Sequence, residues 1–291
     1  MNSQTLTLIF VAAIFHAIWN IILKDAKDNL TALWLQMLVT VVYLVPFSFL
    51  HYGFPPKEAL PTLIFSGLMQ AVYYVLLGKC YQSGNLSIVY PLTRGSAPIF
   101  VCIFSMLLGL ETLTIPVFLS LLLIVFGIYI VNMPAFNLKS ILAPFKTLIE
   151  DSSTRLSILV GITIALYTLS DKVNVRYTSP FIVYSILTLI PTILLAPWLC
   201  KKDKIAAELS GTGKFRILGI SIFMVAAYCL VLIAMSNCNA SYVSSIREVS
   251  VVFVALYTSL RSKNPNWQPK IIGSIIIFSG IVLVSYLTSL S

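Results

Sequence analysis

Two arginines lie inside long apolar stretches of this sequence. Arg94 occurs in SIVYPLTRGSAP, and Arg247 occurs in SSIREVSVVF, directly before Glu248. A guanidinium binds carboxylates and phosphates through paired hydrogen bonds, and a carboxylate beside it can neutralise it or carry a proton. These residue types therefore predict a binding site for an anionic or zwitterionic group. The alternative is that the three charges only brace the fold by bonding carbonyl groups.

The composition places these arginines in a membrane protein. Of 291 residues, 58% are hydrophobic and 10% are charged, and the mean hydropathy is +0.95. So few polar residues cannot cover the exterior of a soluble protein of this size. The net charge of +9 does not indicate nucleic-acid binding, because sixteen of the nineteen Lys and Arg lie at segment ends or in loops, as membrane topology requires.

Ten apolar runs are long enough to cross a bilayer as helices. The first has no basic residue before it and no small-residue cleavage site after it, so it is predicted to be a retained helix. The predicted spans are residues 5–24, 31–50, 61–81, 86–108, 114–132, 154–174, 181–199, 215–236, 240–260 and 268–288.

The two halves of the sequence resemble each other. AIWNIILK at residues 17–24 aligns with ALYTLSDK at residues 165–172, and further on Arg94 aligns with Arg247 and Gly127 with Gly280. Each half holds five runs, and because five is odd the second half must enter the bilayer from the opposite side. The sequence thus predicts an all-α membrane protein whose ten transmembrane helices form two inverted five-helix repeats. The predicted division is a first repeat at 1–132, a linker with an interfacial helix at 133–153, and a second repeat at 154–291.

The surroundings of Arg94 predict an irregular fourth helix. Pro91 and Pro98 remove backbone donors, and Gly95 and Ser96 loosen the helix between them. We therefore expect this helix to be broken or bent around its charge. In the ninth run Arg247 and Glu248 are neighbours, whose side chains point about 100° apart on a helix and need not pair.

Other polar and aromatic side chains could line the same cavity, although a lone histidine more often packs and a tyrosine near a helix end more often marks the interface. Two polar stripes recur at helical spacing: His16, Asn20 and Lys24 in the first helix, and Thr163, Tyr167 and Asp171 in the sixth. The predicted substrate-binding residues are Arg94, Arg247, Tyr90, Trp19, Asn20, His16, Tyr73, Tyr74, Tyr167 and Tyr228. Glu248 is the predicted site of proton or charge coupling.

Several passages resemble EamA-type transporters of the drug/metabolite transporter superfamily: HAIWNIILK, GNLSIVYPLTRGSAPIF followed by LGLETL, and SYVSSIREVSVVF. The resemblance covers essentially the whole chain. It implies ten helices in two inverted repeats, a central cavity, and proton-linked or exchange transport of small metabolites, amino acids or drugs. The HAIWN opening is similar to that of members found near phosphonate-use genes. The resemblance also assigns Glu111, after the fourth helix, to proton or charge coupling, although residues 261–266 of the second half hold no matching acid.

The leading functional prediction is a secondary transporter in the cell inner membrane that moves a small polar anion or zwitterion, such as an amino acid, carboxylate or phosphonate, by alternating access. The alternatives are an exporter of drugs or amphiphilic cations, a flippase for a lipid or lipid precursor, and a scaffold. Thirteen basic residues in the odd-numbered loops against three in the even-numbered loops place both termini outside. Relatives of the resembled type usually have both termini inside.

The sequence gives no support for catalysis or for a cofactor. It contains no HExxH, no GxSxG, no Cys or His cluster and no phosphate-binding loop, so the chain is not predicted to be an enzyme or to hold a metal. No nucleotide-binding motif is present, so an ion gradient, exchange or the substrate's own gradient would drive transport. The predicted partners are the small-molecule substrate, the lipid bilayer, and protons or a counter-substrate.

Overall fold

The computed structural model of the chain consists of α-helices joined by short turns. It describes the backbone of residues 2–83, 86–133, 151–262 and 267–289, and the side chains of these residues except 81–91, 153 and 258–262. No strand occurs in this part of the chain, and its helices begin and end as follows. In chain order they are α1 Ser3–Leu23, α2 Asn29–Tyr52, a 3-10 turn Lys57–Ala59, α3 Leu60–Ser83, α4 Leu86–Leu107, α5 Ile115–Val131, α6 Ser152–Asn174, α7 Pro180–Leu199, α8 Lys202–Leu209, α9 Gly213–Asn237, α10 Ala240–Arg247, α11 Val249–Ser262 and α12 Gln268–Ser289.

Eight helical segments of the described chain are long and apolar enough to cross a membrane. They are α1, α2, α3 with its preceding turn, α6, α7, α9, the α10–α11 pair, and α12. Helices α4 and α5 contain shorter apolar stretches, Leu92–Leu107 and Ile115–Val131. The predicted runs coincide with helical segments, and their ends differ by at most two residues. The chain is therefore a multi-pass helical membrane protein.

Short polar residues begin several helices. The side chain of Asn2 accepts a hydrogen bond from the Thr5 N–H, and that of Asp28 accepts one from the Thr31 N–H, each at 2.8–2.9 Å. These bonds satisfy N–H groups that have no partner within the helix. At the other end of α2, Gly53 has a φ of 72°, a left-handed conformation that suits glycine and ends the helix.

The helices pack in reciprocal pairs. Helix α1 packs along α9, and correspondingly α6 packs along α3; helix α2 contacts α9, and correspondingly α7 contacts α3. Helix α4 contacts α6, and correspondingly the α10–α11 pair contacts α1. Helix α2 also packs on α7, and α5 packs on α12. When α1 to α5 are matched in order with α6, α7, α9, the α10–α11 pair and α12, each of these contacts has a counterpart.

Glycines let α5 and α12 approach closely. A β-carbon on Gly273 would lie 2.5 Å from the backbone nitrogen of Val131 and 2.7 Å from the carbonyl oxygen of Gly127. One on Gly280 would lie 3.0 Å from the carbonyl oxygen of Ser120. Backbone atoms cannot move aside as a side chain can, so these positions require glycine. Small residues at such contacts are how membrane helices gain packing energy where lipid is as apolar as their side chains.

The predicted break near Arg94 is absent, because α4 is one continuous helix. Its small residues instead serve packing against α6. A β-carbon on Gly161 would lie only 2.0 Å from the Ser96 hydroxyl oxygen, so the two helices are in close contact there. The sequence GSA therefore brings α4 near to α6 and leaves its helical course unbroken.

The interruption falls in the ninth predicted span instead. Helix α10 ends at Arg247 and α11 begins at Val249, so Glu248 is the residue between them. The Glu248 N–H bonds the Ser245 carbonyl, and the Val251 N–H bonds the Glu248 carbonyl, at 3.2 and 2.9 Å. These bonds span three residues, the tighter pattern of a 3-10 turn. No proline or glycine marks this place in the sequence, which is why the sequence did not predict it.

Two further differences concern the loops. The helix α8 was not predicted, since half of its eight residues are charged and the search was for apolar runs. The interfacial helix predicted within 133–153 falls largely on residues 134–150, which lie outside the described residues.

The close contact of α5 and α12 gives a testable prediction. Replacing Gly273 with alanine should lower the melting temperature in detergent, because overpacking against backbone costs about 1–3 kcal/mol or more. Gly219→Ala is the matched control, since a β-carbon there would meet only the tip of Ile22 at 3.7 Å. Equal melting temperatures for the two variants would contradict this account of the interface.

Candidate functional site

A cavity of about 710 Å³ is lined by residues of α1, α2, α3, α4, α5, α6, α7, α9, the α10–α11 pair and α12, with α1, α3, α9 and the α10–α11 pair contributing the most. This is the size of a small-molecule site. It extends to the end of the bundle that holds the α1–α2 turn, where Lys24, Asp28 and Asn29 line it. We call this the Asp28 end. The opposite end, which holds Lys172, Glu111 and the α9–α10 turn, is called the Lys172 end, and none of those described residues lines the cavity.

Nine of the ten predicted substrate-binding residues line this one cavity. The side chain of the tenth, Tyr90, lies outside the described residues. The nine are His16, Trp19, Asn20, Tyr73, Tyr74, Arg94, Tyr167, Tyr228 and Arg247. Apolar runs from both halves of the sequence thus contribute polar side chains to a common interior space.

The two arginines share the same surroundings. Both belong to the cavity lining, and both act electrostatically on His16 and on Tyr167. Arg247 is 5% exposed, and Arg94 is half-buried. Two positive charges near one another in a medium of low dielectric constant create a strong local attraction for an anion.

Glu248 contacts Arg247, although neighbours on a regular helix need not pair. Their Oε1 and Nη2 atoms are 3.5 Å apart, and both side chains are buried. The contact is possible because the helix is interrupted between these residues, so the 100° separation of a regular helix does not apply. One cavity arginine is thereby partly compensated, and Glu248 itself does not line the cavity.

Aromatic rings form much of the cavity wall. The ring of Tyr73 lies 5.0 Å from that of Tyr74 and 6.0 Å from that of Tyr167, while Tyr184 stacks on Tyr228 at 5.2 Å. Such rings pack against organic groups and offer hydroxyls at their tips. Sequence reasoning missed Tyr184, although Thr188 and Thr192 follow it at four-residue spacing in the seventh run.

At the Lys172 end charged side chains cap helix termini. The Lys172 ammonium donates hydrogen bonds to the carbonyl oxygens of Met235 and Cys238. These carbonyls lie at the carboxyl end of α9, where a positive charge is favourable. Lys172 is only 8% exposed, so the residue counted as a loop charge in the sequence is part of the closed interior.

Glu111 lies at the same end and caps the following helix. Its carboxylate accepts hydrogen bonds from the N–H groups of Ala240 and Ser241, the first residues of α10. A carboxylate at a helix amino terminus satisfies free donors and complements the helix dipole. The structure therefore does not bring Glu111 to the cavity where the arginines lie, and its predicted part in coupling has no support from its position.

At the Asp28 end a polar network lies beside the mouth. Arg216 donates to the Glu208 carboxylate at 2.6 Å and to the Asp25 carbonyl at 2.8 Å, and Lys204 pairs with Asp28. Burial raises the pKa of the Asp28 carboxyl, but hydrogen bonds from Lys204 and from Thr31 outweigh this, so the pKa lies below its ordinary value. The network joins the α1–α2 turn to α8 and to the start of α9.

One carboxylate near the cavity was not assigned a role by sequence reasoning. Asp171 is completely buried on α6, and its two oxygens accept hydrogen bonds from Ser66 on α3 and Tyr228 on α9, both at 2.6 Å. The signal was present, since Asp171 belongs to the polar stripe of the sixth helix. Nothing in the sequence revealed that this stripe meets two hydroxyls from distant helices.

Comparisons with known proteins agree with this architecture. The model of the EamA-like transporter family matches residues 4–133 and 154–286. Among the solved structures that match, one crystal structure of a protein is 13% identical, with a TM-score of 0.74 over 99% of this chain and 98% of its own, a likeness that concerns the fold alone. No curated protein matches the chain in sequence.

In the described part of the chain, apolar helices surround an internal cavity lined in part by polar side chains. The chain belongs to the EamA-like transporter family, within the drug/metabolite transporter superfamily. This membership also places it among non-enzymatic membrane proteins.

The cap at the start of α10 gives a second prediction. Glu111→Ala should destabilise the protein by about 1.5–3 kcal/mol, because two buried N–H groups lose a charged acceptor. Thermal unfolding in detergent measures the change, which should be roughly 5 °C for a chain of this size. The control is Glu58→Ala, an exposed acid before α3. If both variants have the melting temperature of the wild type, Glu111 is not a structural cap.

Proposed function

We propose that this transporter moves a small polar anion or zwitterion, such as an amino acid, a carboxylate or a phosphonate, by alternating access. The observation that carries the proposal is that two guanidinium groups line one cavity, which extends to the Asp28 end and is sealed at the Lys172 end in the described part of the chain. A cavity with one open end and one closed end corresponds to one of the two states that alternating access needs.

The proposed architecture is ten transmembrane helices in two inverted five-helix repeats, residues 1–132 and 154–291, joined by the linker 133–153. Two observations support it. When the helices of the first half are matched in order with those of the second half, each of the helix contacts described above has a counterpart. The family match also consists of two stretches of similar length. In inverted repeats the substrate site falls at the interface of the halves, near the middle of the membrane.

The chemistry of the cavity favours an anionic group on the substrate. Two arginines line it, and Arg247 contacts Glu248 at 3.5 Å. A guanidinium matches a carboxylate or phosphonate with two parallel hydrogen bonds. The Nε1 of Trp19 and the Nε of Arg247 are buried donors without a hydrogen-bond partner among the described residues. Substrate oxygens within reach would satisfy them.

A second candidate function is the export of drugs or amphiphilic cations, or the movement of a lipid or lipid precursor. An apolar groove of about 290 Å³ between α2, α3 and α7 favours it, because Leu30, Tyr74 and Gly78 line both the groove and the cavity. A molecule with an apolar tail could lie partly in each. The arginines oppose a cationic head group in the cavity, so binding of a cation would favour this candidate over the first.

The proposed location is the cell inner membrane, with the Asp28 end in the cytoplasm. The odd-numbered loops, which carry thirteen of the sixteen basic residues at segment ends, include the α1–α2 turn and α8. The cavity would then face the cytoplasm. Protons or a counter-substrate are the proposed coupling partners.

Binding of small anions to the purified protein tests the substrate class. Methylphosphonate, inorganic phosphate or L-glutamate should raise the melting temperature of the wild type. Arg94→Ala and Arg247→Ala should weaken that binding by about tenfold or more, because each removes a charged hydrogen-bonding partner worth about 1.5–3 kcal/mol.

Arg176→Ala is the matched control, since Arg176 is exposed at the Lys172 end. It should bind like the wild type. If either cavity variant retains wild-type affinity for an anion that binds, the arginines are not the site. If choline binds and none of the anions does, the second candidate is favoured.

A native cysteine reports the orientation. Cys200 is exposed between α7 and α8 at the Asp28 end, whereas Cys80, Cys102 and Cys229 are buried. In intact cells a membrane-impermeant maleimide should leave Cys200 unlabelled and should label it after permeabilisation; Cys200→Ser identifies the signal. Labelling of Cys200 in intact cells would place the Asp28 end outside.

A further inference from the structure

Asp171 lies between the cavity and the closed end. The ring of Tyr228 belongs to the cavity lining, and its hydroxyl donates to Asp171 from the cavity side. Ser66 donates to the other carboxylate oxygen, so three helices, α3, α6 and α9, are joined at one point. We call Ser66, Asp171 and Tyr228 the floor of the cavity.

Polar groups continue outward from the floor towards the Lys172 end. Asn174 follows Asp171 by three residues, and Thr62 precedes Ser66 by four, so each lies one turn further out on the same helix face. The Thr62 hydroxyl donates to the Asn174 side-chain oxygen at 2.6 Å, and Thr62 is half-buried. The Nδ2 of Asn174 is buried without a partner among the described residues. This line of groups could conduct water or a proton to Asp171 when the end loosens.

We propose that Asp171 is a proton-binding site that controls the opening of the Lys172 end. The ionised carboxylate holds the floor closed by accepting the hydrogen bonds of Ser66 and Tyr228. Protonation from the Lys172 end weakens these bonds and allows α9 to separate from α3 and α6. The inference rests on the proposed function in one respect, that this end opens during transport.

The hydrogen bonds to Asp171 explain why its charge state would affect the closure of the Lys172 end. An ionised carboxylate accepts bonds that are roughly twice as strong as those between neutral groups. A protonated carboxyl carries a hydrogen on one oxygen, so one of the two donating hydroxyls must turn away or accept instead. An ionised carboxylate in a dry interior is expensive, and these two short bonds help to support it.

The other titratable and charged groups around Asp171 come from each helix that packs on α6. Helix α9 contributes Tyr228, α10 contributes Arg247, which acts on Asp171 electrostatically, and α4 contributes Arg94 on the cavity side. Helix α3 contributes the Ser66 hydroxyl and, towards the cavity, two tyrosines. On α6 itself the flanking groups are Tyr167 and Lys172, whose ammonium is bonded to α9 carbonyls. Anion binding between the arginines would therefore also change the field at Asp171.

Only the second half of the chain carries a carboxylate at the position of Asp171. In the alignment of residues 17–24 with 165–172, Leu23 stands opposite Asp171 and Lys24 opposite Lys172. The acid Glu111 likewise has no counterpart within 261–266. Both carboxylates that hold the Lys172 end are thus absent from the matching positions at the Asp28 end. Closure of the Lys172 end is therefore expected to depend on the protonation of Asp171.

The thiol of Cys238 is a native reporter of the Lys172 end. It lies half-buried in the α9–α10 turn, and its carbonyl is bonded by Lys172. Burial raises the pKa of the Cys238 thiol to about 11, so the closed end should react slowly with maleimide. Cys200 is exposed at the other end and provides the reference in the same molecule.

The experiment measures the labelling of Cys238 relative to Cys200 by mass spectrometry, in the full-length protein in detergent without substrate. In the wild type the ratio should rise roughly tenfold from mildly alkaline to mildly acidic buffer, as the open state gains population. Asp171→Asn, which mimics the protonated acid, should give a high ratio at every pH. Tyr228→Phe, which keeps the ring, should give a raised ratio in alkaline buffer.

Glu58→Gln is the matched control, an exposed acid at the same end that should keep the wild-type profile. The proposal is overturned if Asp171→Asn keeps that profile, or if Glu248→Gln flattens it and Asp171→Asn does not. Should Asp171→Asn fail to fold, a wild-type ratio for Tyr228→Phe in alkaline buffer would overturn it equally.

Anion binding measured on the same preparations separates the two proposals. If the wild type binds none of the tested anions but its Cys238 labelling ratio depends on pH, the proposed substrate class is wrong and the proposed role of Asp171 stands. If the wild type binds methylphosphonate or glutamate but its Cys238 labelling ratio does not change with pH, only the proposed role of Asp171 is wrong.

Discussion

The cost of placing a guanidinium at membrane depth governs this structure. On a scale of free energies of helix insertion into the membrane, a charged side chain at the centre of the helix costs about 2.5–3.5 kcal/mol, and this free-energy cost would be higher if the side chain faced lipid. Arg94 and Arg247 both meet this constraint by lining an internal cavity. The packing around them follows from it, because helices of both halves must surround a space and still contact one another. Close contacts at Gly161 and Gly273 compensate by bringing neighbouring helices together.

A second constraint concerns helix ends inside the protein. The α9–α10 turn leaves carbonyl groups at the end of one helix and N–H groups at the start of the next. Lys172 bonds the carbonyls and Glu111 bonds the N–H groups, each with the charge that the helix dipole favours. Because Lys172 belongs to α6 and Glu111 follows α4, this turn is fastened to two other helices. Such a seal is strong in place and can open as a unit.

Hydropathy alone predicted where the helices run, since a span's length and composition are local properties. It also predicted the cavity residues well, because an arginine or a polar stripe in an apolar run must face inward. What it could not predict depends on which distant residues meet. The contact of Glu248 with Arg247 needed the interruption between α10 and α11, and the cap formed by Glu111 needed α10 to begin beside it. The bonds from Ser66 and Tyr228 to Asp171 join residues more than fifty positions apart.

The proposed repeats agree in how their helices pack and differ in what closes their ends. If both ends were closed by identical groups, the two states of the transporter would have equal energy and neither would be preferred without substrate. Here the Lys172 end is fastened across the bundle by Lys172, Glu111 and the floor, whereas the network of Arg216 and Glu208 joins α8 and α9 to the α1–α2 turn beside the open mouth. These bonds hold the described Lys172 end together, and in the proposed alternating-access cycle a substrate or a proton would have to offset them before that end opens.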